Sequence, residues 1–229
     1  MTDDQLAAVL SRARVILLDF DGPICSLFAA YPASQVAADL RAAIEARFGE
    51  VPMLADVDGP LQLLRRYREV CSPEIATFAA ETLRDCEVVA AGSAIPTPGA
   101  TNVLESVRAS GRPVAVVSNN SVEAVAAYLD WHQLRHCVDL VVARRVDMDP
   151  RLLKPDPYLP RQALAGIGIG AVHAVLVGDS ISDIEAARAA GVPAIGYANK
   201  PGKREAQAHV GAHATVTAMT ELVDALNKG

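Results

Sequence analysis

The chain has 229 residues, and 51% of them are apolar, enough to bury the core of one large domain or of a domain with a smaller insertion. The net charge of −6 argues against general binding to nucleic acids or anionic membranes. No apolar run approaches the length of a membrane span, and the first residues are acidic before they are basic, the reverse of a secretory signal. We therefore expect a soluble, cytoplasmic protein without nucleic-acid or membrane partners.

The cysteines fit the same compartment. They are scattered and form no C-x-x-C pair, which predicts ordinary core thiols in a reducing environment: Cys25, Cys71, Cys86 and Cys137. A pairing within residues 24–95 stays open as an alternative.

Short apolar runs rich in β-branched residues recur along the chain and predict strands. They cover residues 15–21, 113–119, 139–144, 173–179 and 192–198. Helical patterns lie between the later runs. Their predicted starts are Thr97 with Pro98, Asn120, Asp156 with Pro157, and Ser182 with Glu185 as a capping box. Such alternation predicts an α/β fold, a Rossmann-like parallel sheet with helices on both faces. Ligands of these sheets bind at the carboxyl ends of the strands.

Residues 24–95 interrupt the alternation, because three helical patterns and no strand follow the first run. In the first pattern, apolar residues recur every four positions from Val36 to Phe48. The second covers about 58–70, and the third starts at Ser72 with Pro73 and ends near Gly92. We expect a small all-helical insertion above the carboxyl end of the first strand.

Two carboxylates end the first strand. Side chains alternate along a strand, so Asp19 and Asp21 point the same way while Phe20 points away. Other polar residues follow the later strands at the same edge of the sheet. They are Ser118, Lys154, Asp179 and Asp183.

This cluster holds four carboxylates and a single lysine. At about 5 Å and an effective dielectric near 20, each pair of like charges costs about 3 kcal/mol. A cation is therefore expected there, and oxygen ligands without histidine or cysteine favour Mg²⁺ over zinc. Ser118, Lys154 and the helix start at Asn120 offer hydroxyl, ammonium and backbone N–H groups suited to phosphate. The residues thus indicate phosphoryl chemistry.

Four short motifs carry a family resemblance. D-x-D-G at 19–22, Ser118 at a strand end, Lys154 before Pro155, and G-D-S-x-x-D at 178–183 resemble the motifs of the haloacid dehalogenase-like superfamily, in order and over essentially the whole chain. The insertion resembles this family's helical cap of the first type. The resemblance implies a hydrolase core at 1–23 and 96–229 and a cap at 24–95. Pro23 departs from the family, which most often has threonine or valine there.

The resemblance also implies roles. Asp19 would be the nucleophile that forms an aspartyl-phosphate, and Asp21 the general acid and base. Mg²⁺ would be held by the Asp19 side chain, the Asp21 backbone carbonyl and Asp179, with Asp183 as a ligand or a neighbour of one.

The remaining roles concern the phosphoryl group. Ser118 and Lys154 would bind the phosphoryl oxygens, and Asn119 would add its backbone N–H. The presence of Asp21 favours ester hydrolysis, since the family's dehalogenases lack this second aspartate. The predicted function is a Mg²⁺-dependent phosphohydrolase acting on a small phosphorylated metabolite. A phosphomutase with the same residues, or a non-catalytic binding module, is the alternative.

Three arginines of the insertion are left without an assigned role. Arg65, Arg66 and Arg68 lie close together in "LLRRYRE". They fit a solvated helix face, or one of them reaches an anionic group of the substrate. The substrate itself and the oligomeric state are not readable from the sequence.

Overall fold

The computed structural model describes residues 3–52, 54 and 57–227. Its centre is a six-stranded, all-parallel sheet with the strand order β5-β4-β1-β6-β7-β8. The strands of this sheet are β1 (Val15–Leu18), β4 (Val114–Ser121), β5 (Leu140–Arg144), β6 (Ala174–Gly178), β7 (Ala194–Tyr197) and β8 (Ala214–Val216). Two further strands, β2 (Cys25–Ser26) and β3 (Ile95–Pro96), pair antiparallel in a small second sheet. The predicted α/β parallel sheet is confirmed.

The helices cover both faces of the sheet and form the insertion. They are α1 (Asp3–Arg12), α2 (Ala33–Phe48), α3 (Pro60–Val70), α4 (Pro73–Ala91), α5 (Ala100–Ala109), α6 (Val122–Trp131), α7 (Tyr158–Ile167), α8 (Ile181–Ala190), α9 (Lys203–His209) and α10 (Met219–Asn227). Among the described residues, none of these helices combines the length and the apolar character that crossing a membrane requires.

Side chains of β1 point alternately to the two faces of the sheet, and helices cover both faces. Ile16 and Leu18 join a core that also contains apolar residues of α1, α5, α6 and α10. Val15 and Leu17 face the opposite core, which includes residues of α7 and α8. All four side chains are buried, and burial of each contributes roughly 1.5–3 kcal/mol. A strand buried on both faces is therefore apolar throughout, up to the carboxylates that end it.

The helices α2, α3 and α4 lie between β2 and β3, as the helical patterns predict. They enclose a core of their own that contains Leu40, Ile44, Leu63 and Leu83. The long helix α4 reaches further, because Ala90 and Ala91 in its last turn belong to the core under the sheet. Helix α4 thus contributes both to the core of the insertion and to one of the two cores that cover the main sheet.

Some predicted details differ from the structure. Helix α8 is capped by Ser180 with Asp183, and not by Ser182 with Glu185, because the Ser180 and Asp183 side chains each bond the other's backbone N–H. Helix α6 has Ser121, not Asn120, as its N-cap. The sequence patterns did not predict α1, α9, α10, β8 or the two-residue strands β2 and β3.

The four cysteines are free thiols, so the disulfide alternative is not realised.

Candidate active site

Asp19 follows directly on β1 at the carboxyl edge of the sheet. Its backbone N–H donates to the Val177 carbonyl at 2.9 Å, which continues the parallel pairing of β1 with β6. Its side chain accepts a hydrogen bond from the Phe20 N–H at 2.7 Å. Asp19 is only 8% exposed. The sheet therefore places this carboxylate where it has little contact with solvent.

Asp21 and Gly22 form the turn that follows. The Leu27 N–H donates to Asp21 Oδ1 at 2.9 Å, and the Thr97 hydroxyl donates to the Gly22 carbonyl at 2.6 Å. Gly22 has a φ of +110°, and a Cβ at this position would overlap the Asp179 side chain. Glycine is thus required here both by backbone conformation and by the close approach of Asp179.

Lys154 lies at the centre of the cluster and is 2% exposed. Its Nζ donates to the Val117 carbonyl at 2.8 Å and forms ion pairs with Asp19 Oδ1 at 2.8 Å and Asp183 Oδ1 at 2.6 Å. Its backbone is fixed by Asn119, whose side chain accepts from the Lys154 N–H at 2.8 Å and donates to the Lys154 carbonyl at 3.0 Å. The side chain of Asn119 thus fixes the backbone of Lys154.

The carboxylates of Asp19, Asp179 and Asp183 each bring one oxygen within 4.8 Å of the others. Asp183 Oδ2 accepts from the backbone N–H and the hydroxyl of Ser180, at 2.9 and 2.7 Å. Asp183 Oδ1 has the Lys154 ion pair but accepts no hydrogen bond of ordinary geometry from a described residue. Helix capping therefore occupies one oxygen of Asp183 and leaves the other directed into the cluster.

Ser118 lies at a break in the pairing of β4 with β5. Ser118 pairs with Ala143 and Ser121 with Arg144, so the two residues between them bulge from the ladder. The Ser118 hydroxyl donates to Asn120 Oδ1 at 3.1 Å and accepts from the Asn120 N–H at 3.2 Å. Because Ser118 is fully buried, these bonds determine where its hydroxyl points.

Burial and the neighbouring charges shift the pKa values of three groups in the site. Burial and the neighbouring Asp183 carboxylate, opposed by Lys154, together raise the pKa of Asp19 to about 8. Burial also raises the pKa of Asp21 to about 6, against the effect of the Leu27 N–H. Burial lowers the pKa of Lys154, but Asp183 and Asp19 outweigh it, so that the pKa is raised and the lysine is a cation at neutral pH.

The donor set fits a hard divalent cation. Three carboxylates converge, Asp183 Oδ1 has no partner among the described residues besides the Lys154 ammonium, and the lysine does not fully offset the effect of burial on the Asp19 carboxyl group. Oxygen ligands of this kind are typical of Mg²⁺. The Asp21 side chain is not part of the converging group, so its predicted role through the backbone carbonyl remains a prediction.

The structure adds two residues to the predicted set. Lys203 forms an ion pair with Asp179, and the Asn199 amide contacts the same carboxylate at 3.4 Å. Both residues follow β7, whose carboxyl end lies at the same edge of the sheet, so their place after that strand is the signal that could have indicated them.

Arg65 is half-buried and contacts the core. Its guanidinium donates to the carbonyls of Pro150 and Lys154 at 3.3 and 3.2 Å. Arg66 forms an exposed ion pair with Glu69. The interpretation of these arginines as a purely solvated face is thus wrong for Arg65.

Comparison with known proteins identifies the family. The sequence profile of the haloacid dehalogenase-like hydrolases matches residues 70–197, more than half of the chain. The chain therefore belongs to the haloacid dehalogenase-like hydrolases, as the four motifs predicted.

Curated relatives are named phosphoglycolate phosphatases. The one from Caulobacter vibrioides is 28% identical over 165 residues, which cover 70% of this chain and 62% of that protein. The one from Escherichia coli K12 is 31% identical over 99 residues, 43% of this chain and 38% of that protein. The chain thus matches less than two thirds of the length of either relative.

Solved structures share the fold over nearly the full chain. A predicted phosphatase from Clostridium acetobutylicum superposes with a TM-score of 0.71 and 20% identity, covering 94% of this chain and 98% of that one. CbbY from Rhodobacter sphaeroides, in complex with phosphate, gives a TM-score of 0.69 and 20% identity, with 94% and 99% covered. At this level of identity the likeness establishes the fold alone.

Proposed function

We propose that this chain is a phosphatase that hydrolyses a phosphoric monoester of a small metabolite with the help of Mg²⁺. One observation carries the proposal. At the carboxyl edge of the sheet, Asp19 forms an ion pair with Lys154 and lies close to the carboxylates of Asp179 and Asp183. Family membership and the phosphatase names of the relatives support it. These names make phosphoglycolate the first substrate to test.

In the proposed mechanism Asp19 attacks the phosphorus, and the bond from phosphorus to the leaving oxygen breaks as Asp21 protonates that oxygen. Asp21 then takes a proton from water, whose oxygen attacks the phosphorus and releases Asp19. The Leu27 N–H engages Asp21 Oδ1, while Oδ2 has no hydrogen bond to a described residue. A pKa raised to about 6 by burial suits a carboxyl group that must both give and accept a proton near neutral pH.

The phosphoryl group would be held by Ser118, Lys154 and the Asn119 N–H. The Ser118 hydroxyl now donates its proton to Asn120 Oδ1 and would turn to a phosphoryl oxygen instead. Lys154 would contribute a buried positive charge, which acts strongly in a site with little water.

For the metal, we propose Asp19, Asp179 and the Asp21 backbone carbonyl as ligands, with Asp183 as a ligand or a neighbour of one. When bound, Mg²⁺ supplies positive charge that offsets the carboxylates and the phosphoryl oxygens.

We further propose that residues 24–95 act as a cap over this site and 1–23 with 96–229 as its hydrolase core. Asp19, Ser118 and Lys154 are almost inaccessible to solvent, so a substrate can enter only after covering segments move. Arg65 of α3 contacts the backbone of the loop that presents Lys154, which supports a closed arrangement. Closure would exclude water around the phosphoryl group.

The test measures phosphate release from phosphoglycolate and para-nitrophenyl phosphate, with and without Mg²⁺, for wild type and Asp19→Asn. We expect Mg²⁺-dependent release that falls at least roughly 1,000-fold in the variant, while its circular dichroism spectrum is unchanged because the substitution is isosteric. The exposed Asp130→Asn is the matched control and should keep full activity. Full activity in Asp19→Asn would refute the nucleophile, and isomerised substrate without free phosphate would indicate the mutase.

A further inference from the structure

A buried ion pair joins α4 to the end of β5, outside the carboxylate cluster. Glu87 Oε2 lies 2.5 Å from Arg144 Nη2, and the two side chains are 0% and 2% exposed. Glu87 stands near the carboxyl end of α4, where the helix dipole disfavours an acid. Because apolar replacements of buried ion pairs are often neutral or stabilising, stability alone does not account for this pair.

The further hydrogen bonds of the pair go to one short segment, residues 119–121. Arg144 Nε donates to the Asn119 carbonyl at 3.2 Å. Glu87 Oε2 accepts from the Ser121 N–H at 2.7 Å, and Glu87 Oε1 from the Asn120 side chain at 3.3 Å. This segment contains the two residues that bulge from the β4–β5 ladder. The ion pair therefore holds both ends of the bulge.

The contact with Asn120 determines the direction of its amide. An ionised carboxylate only accepts hydrogen bonds, so Glu87 requires the Nδ2 side of Asn120 to face it. The Oδ1 side must then face Ser118, whose hydroxyl donates to it. Glu87 thus determines the orientation of the Ser118 hydroxyl through the side-chain amide of Asn120.

We infer that Glu87 and Arg144 are positioning residues that fix the phosphate-binding segment Ser118–Asn120, an inference that rests on the proposed function. They do not touch the reacting atoms. They hold the Ser118 Oγ and the backbone of Asn119 in place, so that on phosphate binding only the Ser118 hydroxyl proton has to turn, from Asn120 Oδ1 to a phosphoryl oxygen. Since Glu87 stands on α4, the helix that ends the insertion also sets the geometry of this segment.

The test replaces both charges at once, with the double variant Glu87→Gln/Arg144→Met. This change removes the pair without leaving a buried, unpaired charge. The Kd of inorganic phosphate is measured by calorimetry in the presence of Mg²⁺, and KM and kcat with the best ester substrate. We expect Kd and KM to rise about 10-fold, while kcat stays within about 3-fold.

The matched control is Arg145→Met/Asp147→Asn, which removes the exposed ion pair next along the chain. It should leave Kd and KM unchanged. The single variant Glu87→Gln adds a second comparison, because it leaves Arg144 charged and buried. Its melting temperature should fall, and the double variant should recover the melting temperature without recovering phosphate binding, a split that a merely structural pair would not produce.

A folded double variant with wild-type Kd and KM would overturn the inference, and so would a fall in kcat alone. If the double variant does not fold, Asn120→Ala is tested instead, because it removes the amide that connects Glu87 to Ser118. A wild-type Kd of phosphate in that variant would also overturn the inference. Failure of the proposed function is a different result. In that case wild type hydrolyses no ester, while phosphate binding and its weakening in the double variant still decide the inference.

Discussion

Gly22 illustrates how the backbone at a single residue constrains the site. Its φ is positive, and the space where a Cβ would stand is occupied by Asp179. A side chain here must therefore both strain the turn that carries Asp21 and displace a predicted metal ligand. Position 22 is a point at which the turn after β1 and the residue after β6 approach too closely for any side chain.

We predict that Gly22→Ala loses activity roughly 100-fold or more and destabilises the protein by about 1–3 kcal/mol from backbone strain alone. Gly49→Ala is the matched control, because Gly49 also has a positive φ, of 72°, but beyond its chain neighbours no atom of the described residues lies within 4 Å of the place where its Cβ would stand. It should lose about 1–2 kcal/mol and keep its activity. Thermal unfolding and phosphate release measure the two effects. Equal activity in both variants would contradict the steric argument.

At the scale of elements, α3 and the loop before Lys154 are joined by Arg65. The guanidinium donates to two backbone carbonyls of that loop. Hydrogen bonds from a charged donor are worth about 1.5–3 kcal/mol each when well buried, and less here because Arg65 is only partly buried. The contact holds the insertion against the core without using a side-chain acceptor.

We predict that Arg65→Met lowers the free energy of unfolding by about 1 kcal/mol and speeds backbone hydrogen exchange at residues 60–70 and 150–154. Arg66→Met, one position along the helix, breaks only an exposed ion pair and should change the stability by less than about 0.5 kcal/mol. Hydrogen exchange followed by mass spectrometry separates the two. Identical exchange in both variants would show that Arg65 does not hold these elements together.

Local patterns predicted most elements, because periodicity and capping are recorded in neighbouring residues. The helices of the insertion and five strands of the main sheet follow their patterns closely. The strands β2 and β3 have two residues each, too few for a period, and they exist because the chain leaves and re-enters the core side by side.

The site shows the same division. Asp19, Lys154, Asp179 and Asp183 could be predicted to meet, because strand ends share one edge of the sheet. The pair of Glu87 and Arg144 could not, since the residues are far apart in sequence and a glutamate on a helix normally indicates a solvated face. The capping box of α8 could not be predicted uniquely either. Ser180 with Asp183 and Ser182 with Glu185 both fit the pattern, and the conformation of the preceding loop selects the first.

For the molecule as a whole, the carboxylate cluster links metal binding to folding. The unfolded chain does not bring these carboxylates together, so a cation bound at the cluster stabilises the folded state by mass action.

We predict that saturating Mg²⁺ raises the melting temperature. At 100 times the dissociation constant the gain is about 2.7 kcal/mol, which corresponds to roughly 5–10 °C for a chain of this size. Asp179→Asn should reduce the shift, and sodium chloride of matched ionic strength is the control. A melting temperature that is equal in Mg²⁺ and in matched salt would contradict the predicted metal site.

The helix α4 serves two cores at once, with Leu83 in one and Ala90 in the other, and Glu87 lies between them as the counter-charge of Arg144. This arrangement bears on chimeras between family members. Grafting a foreign segment in place of residues 24–95 would leave Arg144 as an unmatched buried cation unless the graft supplied a carboxylate at the equivalent turn. A transplant of the whole segment therefore requires either a carboxylate at the position of Glu87 or a simultaneous change of position 144.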